Sequence, residues 1–476
     1  MPAILRPLPR RLARGLLFVG LLGAIAPVAP AQSGQVGGKE RPAPTKTGGT
    51  PKAPVAPAPL APVVHDSMTT KFTVEGIPVI HRRTSGNLFV ANLYLLGGVH
   101  LATPQTAGLE PMLLELTERG TRKYPGPSLL RAMARTGSEI GVAASDDYTV
   151  YGLRTTTDRI DSTWSIYADR ILAPTLTAED FAFVKQNRMA ALAQRGDDAD
   201  ALLEYLADSV AFTSYPYALS AVGTDRSIAG ITLDQLREFH RAQMVRSRLL
   251  LVVVGDVPRA RIERLVRTTF GTLPAGNYEW KVPAPFGPRP GANVHIVSRR
   301  LPTNYIMGWW SGPNAGDADV PALRVATAIL SGRLFAEVRS RRNLTYAVEA
   351  RFRDRAVTSG GVYVTTTRPD ETIRIMRDQV RALQEETIPT EALAPLIQQF
   401  ITEYFLDNET SGAQADFLAR AELYRGDHRA GDRFVAELRA VTGEDVRRVA
   451  ARYMKEFRFT YIGNPSSVNR FTLMGF

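Results

Sequence analysis

From residue 65 onward the chain alternates between two kinds of hydrophobic pattern. Short apolar runs closed by glycine predict strands. Phe89-Val90-Ala91-Asn92-Leu93-Tyr94-Leu95-Leu96 stops at Gly97-Gly98, and the unbroken run Leu249 to Val254, which predicts a buried strand, stops at Gly255-Asp256. Apolar residues at helical spacing over Ser128 to Arg135 and Ser162 to Ile171 predict helices.

The pattern occurs twice. Ile231-Thr232-Leu233-Asp234-Gln235-Leu236-Arg237 is echoed by Val441-Thr442-Gly443-Glu444-Asp445-Val446-Arg447, at an offset of 210 residues. Each copy opens with a threonine followed by an acid, which predicts a helix N-cap with a first-turn carboxylate. Val150-Tyr151 through Asp158 likewise echoes Val362-Tyr363 through Asp370. Two matches in one order argue for a duplicated unit. The Pro/Gly-rich stretch 282–293 is the natural linker between residues 65–281 and residues 294–476. The fold class expected is α+β: two homologous halves, each a mainly antiparallel sheet with helices on one face.

The start of the chain changes the charge picture. Residues 1–31 carry Arg6, Arg10, Arg11 and Arg14, then an apolar run from Leu16 to Val28, and end in Ala29-Pro30-Ala31. That is the pattern of a secretory signal peptide cleaved near Ala31, and the run is shorter than the ~20 residues of a membrane span. Residues 32–64 are Pro, Ala, Gly, Lys and Thr, a composition expected of a disordered tether. The formal charge of the whole chain is +11, but leader and tether hold most of the excess, leaving the folded part near +4. Spread along amphipathic helices, that balance describes a solvated surface and not a nucleic-acid site. The expected location is periplasmic or secreted.

The chain has no cysteine and six histidines, no two of them within four residues. Thiol nucleophiles, Cys-based zinc sites and iron–sulfur clusters are thereby excluded. Downstream of the Leu95-Leu96-Gly97-Gly98 turn, Ala107-Gly108 and Gly120-Thr121 bracket a helix-like stretch.

These marks resemble the insulinase/pitrilysin family, in the branch of the mitochondrial processing peptidase and its bacterial relatives, over about Thr69 to Pro465. The resemblance implies two halves forming one side of a chamber. Active members carry His-x-x-Glu-His between those glycines, which sets two zinc ligands on one helix face with the general base beside the second. Counted back from Gly120-Thr121, those three positions are Pro111, Leu114 and Glu115, and the third-ligand region falls near Leu192. No zinc is therefore expected on this chain. A replacement site from His100, Glu110, Glu115 and Glu118 is conceivable; the reading preferred is that these are helix-surface carboxylates and a turn histidine.

A second family mark is intact. Ile329 to Arg339 reads as a leucine-rich helix with Phe335 and Arg339, followed by Asn343-Leu344-Thr345-Tyr346-Ala347-Val348. Asn343 stands where the family usually has glycine, and asparagine tolerates the left-handed turn expected there. The resemblance implies that Arg339 and Tyr346 hold substrate backbone and stabilise an oxyanion. The competing reading makes Arg339 a helix-surface cation and Tyr346 a core aromatic. A chain with the Arg–Tyr pair but not the zinc motif resembles the non-zinc subunit of a heterodimeric bacterial peptidase. It is expected to be inactive alone and to act in trans beside a zinc-bearing homologue, with zinc in that partner. The alternative is a non-enzymatic peptide-binding or scaffold protein of the same fold.

Overall fold

The structure is a computed structural model that describes residues 68–287 and 294–476. The expected leader (1–31) and tether (32–64), and linker residues 288–293, lie outside the described residues.

The first half runs β1 (Thr69–Val74), β2 (Ile77–Arg82), β3 (Leu88–Leu96), α1 (Leu109–Leu116), α2 (Pro127–Thr136), β4 (Glu139–Ala144), β5 (Tyr148–Thr156), α3 (Ile160–Leu172), α4 (Ala178–Asp197), α5 (Ala199–Ala211), α6 (Asp225–Gly230), α7 (Leu233–Gln243), β6 (Leu249–Val254) and α8 (Arg259–Thr268). The second runs β7 (Val294–Ser298), β8 (Asn304–Asn314), α9 (Val320–Leu334), β9 (Val348–Arg353), β10 (Val357–Thr366), α10 (Pro369–Glu385), α11 (Thr390–Asp407), α12 (Ser411–Arg425), α13 (Phe434–Arg439), α14 (Gly443–Tyr453), β11 (Arg458–Gly463) and α15 (Arg470–Met474).

The two sheets have one topology. The first is ordered β1-β2-β6-β3-β5-β4 and the second β7-β11-β8-β10-β9. Apart from the extra strand β1, each position matches, including the single parallel pair of each sheet, β2 with β6 and β7 with β11. The helices α7 and α14 before the last strands start alike. Thr232 and Thr442 are both N-caps in capping boxes, closed by Gln235 and Asp445.

Helices of the same half cover one face of each sheet. On that face of β6, Leu249, Leu251 and Val253 pack with Val79, Trp164, Tyr167 and Val266. The opposite face is covered by a helix of the other half. Leu250, Val252 and Val254 pack against Ala415, Leu418, Ala419 and Leu423 of α12. In return α5 places Leu203, Ala207 and Ala211 against Met307, Trp309, Tyr363 and Ile462 of the second sheet. Alanines four apart form a flat stripe that lets each visiting helix approach the strands closely. Burial on both faces is the reason β6 is apolar at every position, where a strand wetted on one side would alternate.

Candidate functional site

Helix α1 starts at Gly108, which adopts the left-handed conformation (φ 85°). Its inner face is apolar. Leu114 is fully buried in the core beneath the first sheet, and Met112, Leu113 and Leu116 pack with Leu192 of α4. Leu114 and Leu192 are thus packing residues, and Pro111 is buried with no ligating atom to offer.

The carboxylates of this region are committed elsewhere. Glu115 accepts two hydrogen bonds from Arg188, from Nε at 2.9 Å and Nη2 at 2.7 Å. Glu110 is buried and takes Arg248 Nη2 on both oxygens, at 3.1 and 3.0 Å, together with Thr149 Oγ1 at 2.8 Å. Arg248 is itself fully buried and donates onward to the Leu96 and Gln243 carbonyls. Glu118 accepts from Arg170 at 3.1 Å, and His100 donates to Asp147 at 3.1 Å. Three carboxylates therefore face three different guanidinium groups instead of converging on one point. Among the described residues no group of three His, Asp or Glu could hold a metal ion. These residues do not fit zinc: they supply neither a ligand set nor a base.

The second half presents a different picture. Helix α9 continues into a π-helical turn, Phe335–Ser340, that carries Arg339. The turn ends at Asn343, whose φ of 50° is left-handed. Around it the Asn343 amide donates to the Arg339 carbonyl at 3.1 Å and the Leu344 amide to the Val338 carbonyl at 2.9 Å. The turn survives without glycine because asparagine pays little steric penalty there. Thr345 then anchors the chain, its hydroxyl donating to the Thr365 carbonyl and accepting the Ala347 amide at 2.9 Å. Leu344, Thr345 and Val348 are buried, whereas Tyr346 between them is 87% exposed. Tyr346 is therefore not the core aromatic of the competing reading. Arg339 is exposed on the same segment, with its guanidinium 5.1 Å from the Phe335 ring centre. No hydrogen bond joins Arg339 and Tyr346.

A polar cluster between the halves went unnoticed in the sequence. Asp147, in the β4–β5 turn, accepts from His100, from Tyr217 Oη at 2.7 Å and from Tyr424 Oη at 2.8 Å. Next to it Asp146 accepts from Arg355 at 2.9 Å, and Arg355 stacks 4.1 Å from the Tyr217 ring centre. The matching turns of the two halves, 145–147 between β4 and β5 and 354–356 between β9 and β10, meet here.

Residues 230–400 match the family model of the peptidase M16 inactive domain, a span that contains Arg339 and Tyr346. The fold is also that of a protein described as a peptidase M16 inactive domain from Pseudomonas fluorescens, with a TM-score of 0.75 at 20% identity, covering 83% of this chain and 98% of that one. Over residues 230–400 the chain is similar to the insulinase-type peptidases. Similar sequences include an uncharacterized zinc protease of Streptomyces coelicolor, 24% identical over 401 residues that cover 80% of this chain and 84% of the relative. Another is the mitochondrial cytochrome b-c1 complex subunit 1 of Caenorhabditis elegans, 22% identical over 406 residues that cover 82% of this chain and 86% of that one. A protease from Helicobacter pylori has the same fold, with a TM-score of 0.74 at 18% identity, covering 83% of this chain and 99% of the protease. Among the described residues no helix is long and apolar enough to cross a membrane.

Proposed function

We propose that this chain is the non-zinc subunit of an insulinase-family metallopeptidase, exported through the 1–31 leader to the periplasm or beyond. It would pair with a zinc-bearing homologue carrying His-x-x-Glu-His and supply Arg339 and Tyr346 in trans to the peptide held there. Arg339 would donate its planar fork to substrate carbonyls, and the Tyr346 phenol to the negative charge developing on the attacked carbonyl. The observation that carries this reading is the contrast between the two halves. The metal positions are filled by packing and ion pairs, while the Arg–Tyr segment holds both side chains out to solvent. Co-purification from the native host with mass spectrometry of the bound protein tests it. The expected result is a homologue with the zinc motif whose turnover rises sharply when the two are mixed. A homologue fully active without this chain would overturn the proposal.

The second reading, a non-enzymatic peptide-binding or scaffold protein, draws on the likeness to the cytochrome b-c1 complex subunit, whose name places it in an assembly. It predicts a stable complex in which Arg339 and Tyr346 are dispensable.

A further inference from the structure

Three arginines lie within four residues of one another, Arg339, Arg341 and Arg342, and only one carboxylate, Glu337, sits in the same turn. Glu337 divides itself between the two that are not part of the family motif: one oxygen takes Arg341 and the other takes Arg342, whose Nη1 also donates to the Glu337 carbonyl at 3.0 Å. Among the described residues Arg339 has no acceptor. Its guanidinium lies instead over Phe335, one turn back, within the ~6 Å at which an aromatic face attracts a cation. The wide π turn, closed by the Arg341 amide on the Ala336 carbonyl at 2.9 Å, staggers the two pairs, Phe335 with Arg339 and Glu337 with Arg341, along the segment.

We infer that Glu337 and Phe335 are positioning residues that keep Arg339 available: Glu337 sequesters the competing guanidinium groups, and the Phe335 ring fixes the direction of Arg339 without using any of its N–H donors. This rests on the reading of Arg339 as a substrate-binding side chain. A carboxylate facing Arg339 would occupy the donors that a peptide carbonyl needs, whereas an aromatic face leaves all five free. Phe335 is 46% exposed, and its ring faces the Arg339 cation at 5.1 Å.

The availability of Arg339 is tested on the isolated full-length chain with phenylglyoxal, mapping modified arginines by peptide mass spectrometry. Arg341 and Arg342 are also exposed, at 71% and 43% of the side chain, so access alone does not rank the three. Arg339 is expected to react several-fold faster than the other two, and Glu337→Gln should raise Arg341 and Arg342 to the same level. Equal rates in the unaltered chain, or slow Arg341 and Arg342 in Glu337→Gln, overturn the role of Glu337. The role of Phe335 is read in the reconstituted complex. Phe335→Leu should raise KM about two- to fivefold with kcat retained, and Phe335→Tyr, which keeps the ring, should restore KM. An unchanged KM in Phe335→Leu, in a complex where Arg339→Lys does raise KM, overturns the positioning role. An unchanged KM in Arg339→Lys overturns the underlying function instead, and the phenylglyoxal ranking then still decides whether Glu337 keeps Arg339 free.

Discussion

The Asp147 carboxylate, in the β4–β5 turn, accepts the backbone N–H of Ala356, in the matching β9–β10 turn of the other half, at 3.0 Å. The duplicated units thus touch turn to turn, through a charge on one side and a main-chain donor on the other. Burial works against that charge. Bonds from His100, Tyr217, the Ala356 amide and Tyr424 outweigh it and hold the carboxyl below its ordinary pKa.

A depressed carboxyl makes stability pH-dependent. Unfolded, Asp147 titrates near ~3.9, and folded it titrates lower, so the unfolded chain binds the proton first. The contribution is complete above that ordinary value and is lost as pH falls through the folded pKa. Melting temperature followed downward from pH 6 should drop on this acid limb, and Asp147→Asn should flatten it. Asp147→Ala strands four donors in the interface and should cost about 2–4 kcal/mol at neutral pH.

The Glu110–Arg248 pair is the most deeply buried ion pair on helix α1, with side chains 7% and 0% exposed. Removing one member leaves an uncompensated charge. Arg248→Met alone should destabilise by about 3–5 kcal/mol, and Glu110→Leu combined with it should recover much of the loss. Denaturant unfolding of the two single variants and the double variant measures the coupling.

Metal analysis of the dialysed chain should find no stoichiometric zinc, and the isolated chain should cleave no peptide. One tightly held zinc per chain with chelator-sensitive activity would contradict the packing of Leu114 and Leu192 as described.

Tyr346 offers a sharp separation of chemistry from packing. Because it is so exposed, neither Tyr346→Phe nor Tyr346→Ala should move the melting temperature by more than a degree or so. In the reconstituted complex Tyr346→Phe should lower turnover by about 10²–10³, the usual effect of losing one oxyanion donor. A full rate with Tyr346→Phe would favour the scaffold reading.

Local features were legible in the sequence. The apolar run Leu249 to Val254 is a strand with those limits, Thr232 and Thr442 cap the helices they precede, and Asn343 takes the left-handed turn. Each depends on neighbours within a few residues. What Glu110 or Glu115 faces was not legible, because Arg248 and Arg188 reach them from 138 and 73 residues away. The exposure of Tyr346 was hidden for a similar reason: an aromatic between Thr345 and Val348 fits a core strand, and only the anchoring of Thr345 on Thr365 turns it outward.

The exchange of α5 and α12 has a consequence for the chain as a polymer. Each helix is held by the sheet it does not belong to, so continuity of the backbone between the halves contributes little to keeping them together. A protease cut at a single bond within 282–287 should yield two fragments that co-elute and melt as one body, since parting them would bare Leu250, Val252 and Val254 on one side and Met307, Trp309 and Ile462 on the other. At ~1.5–3 kcal/mol for each large apolar side chain returned to water, that separation is prohibitive. Neither fragment expressed alone should be soluble, and co-expression of the two should restore the intact fold.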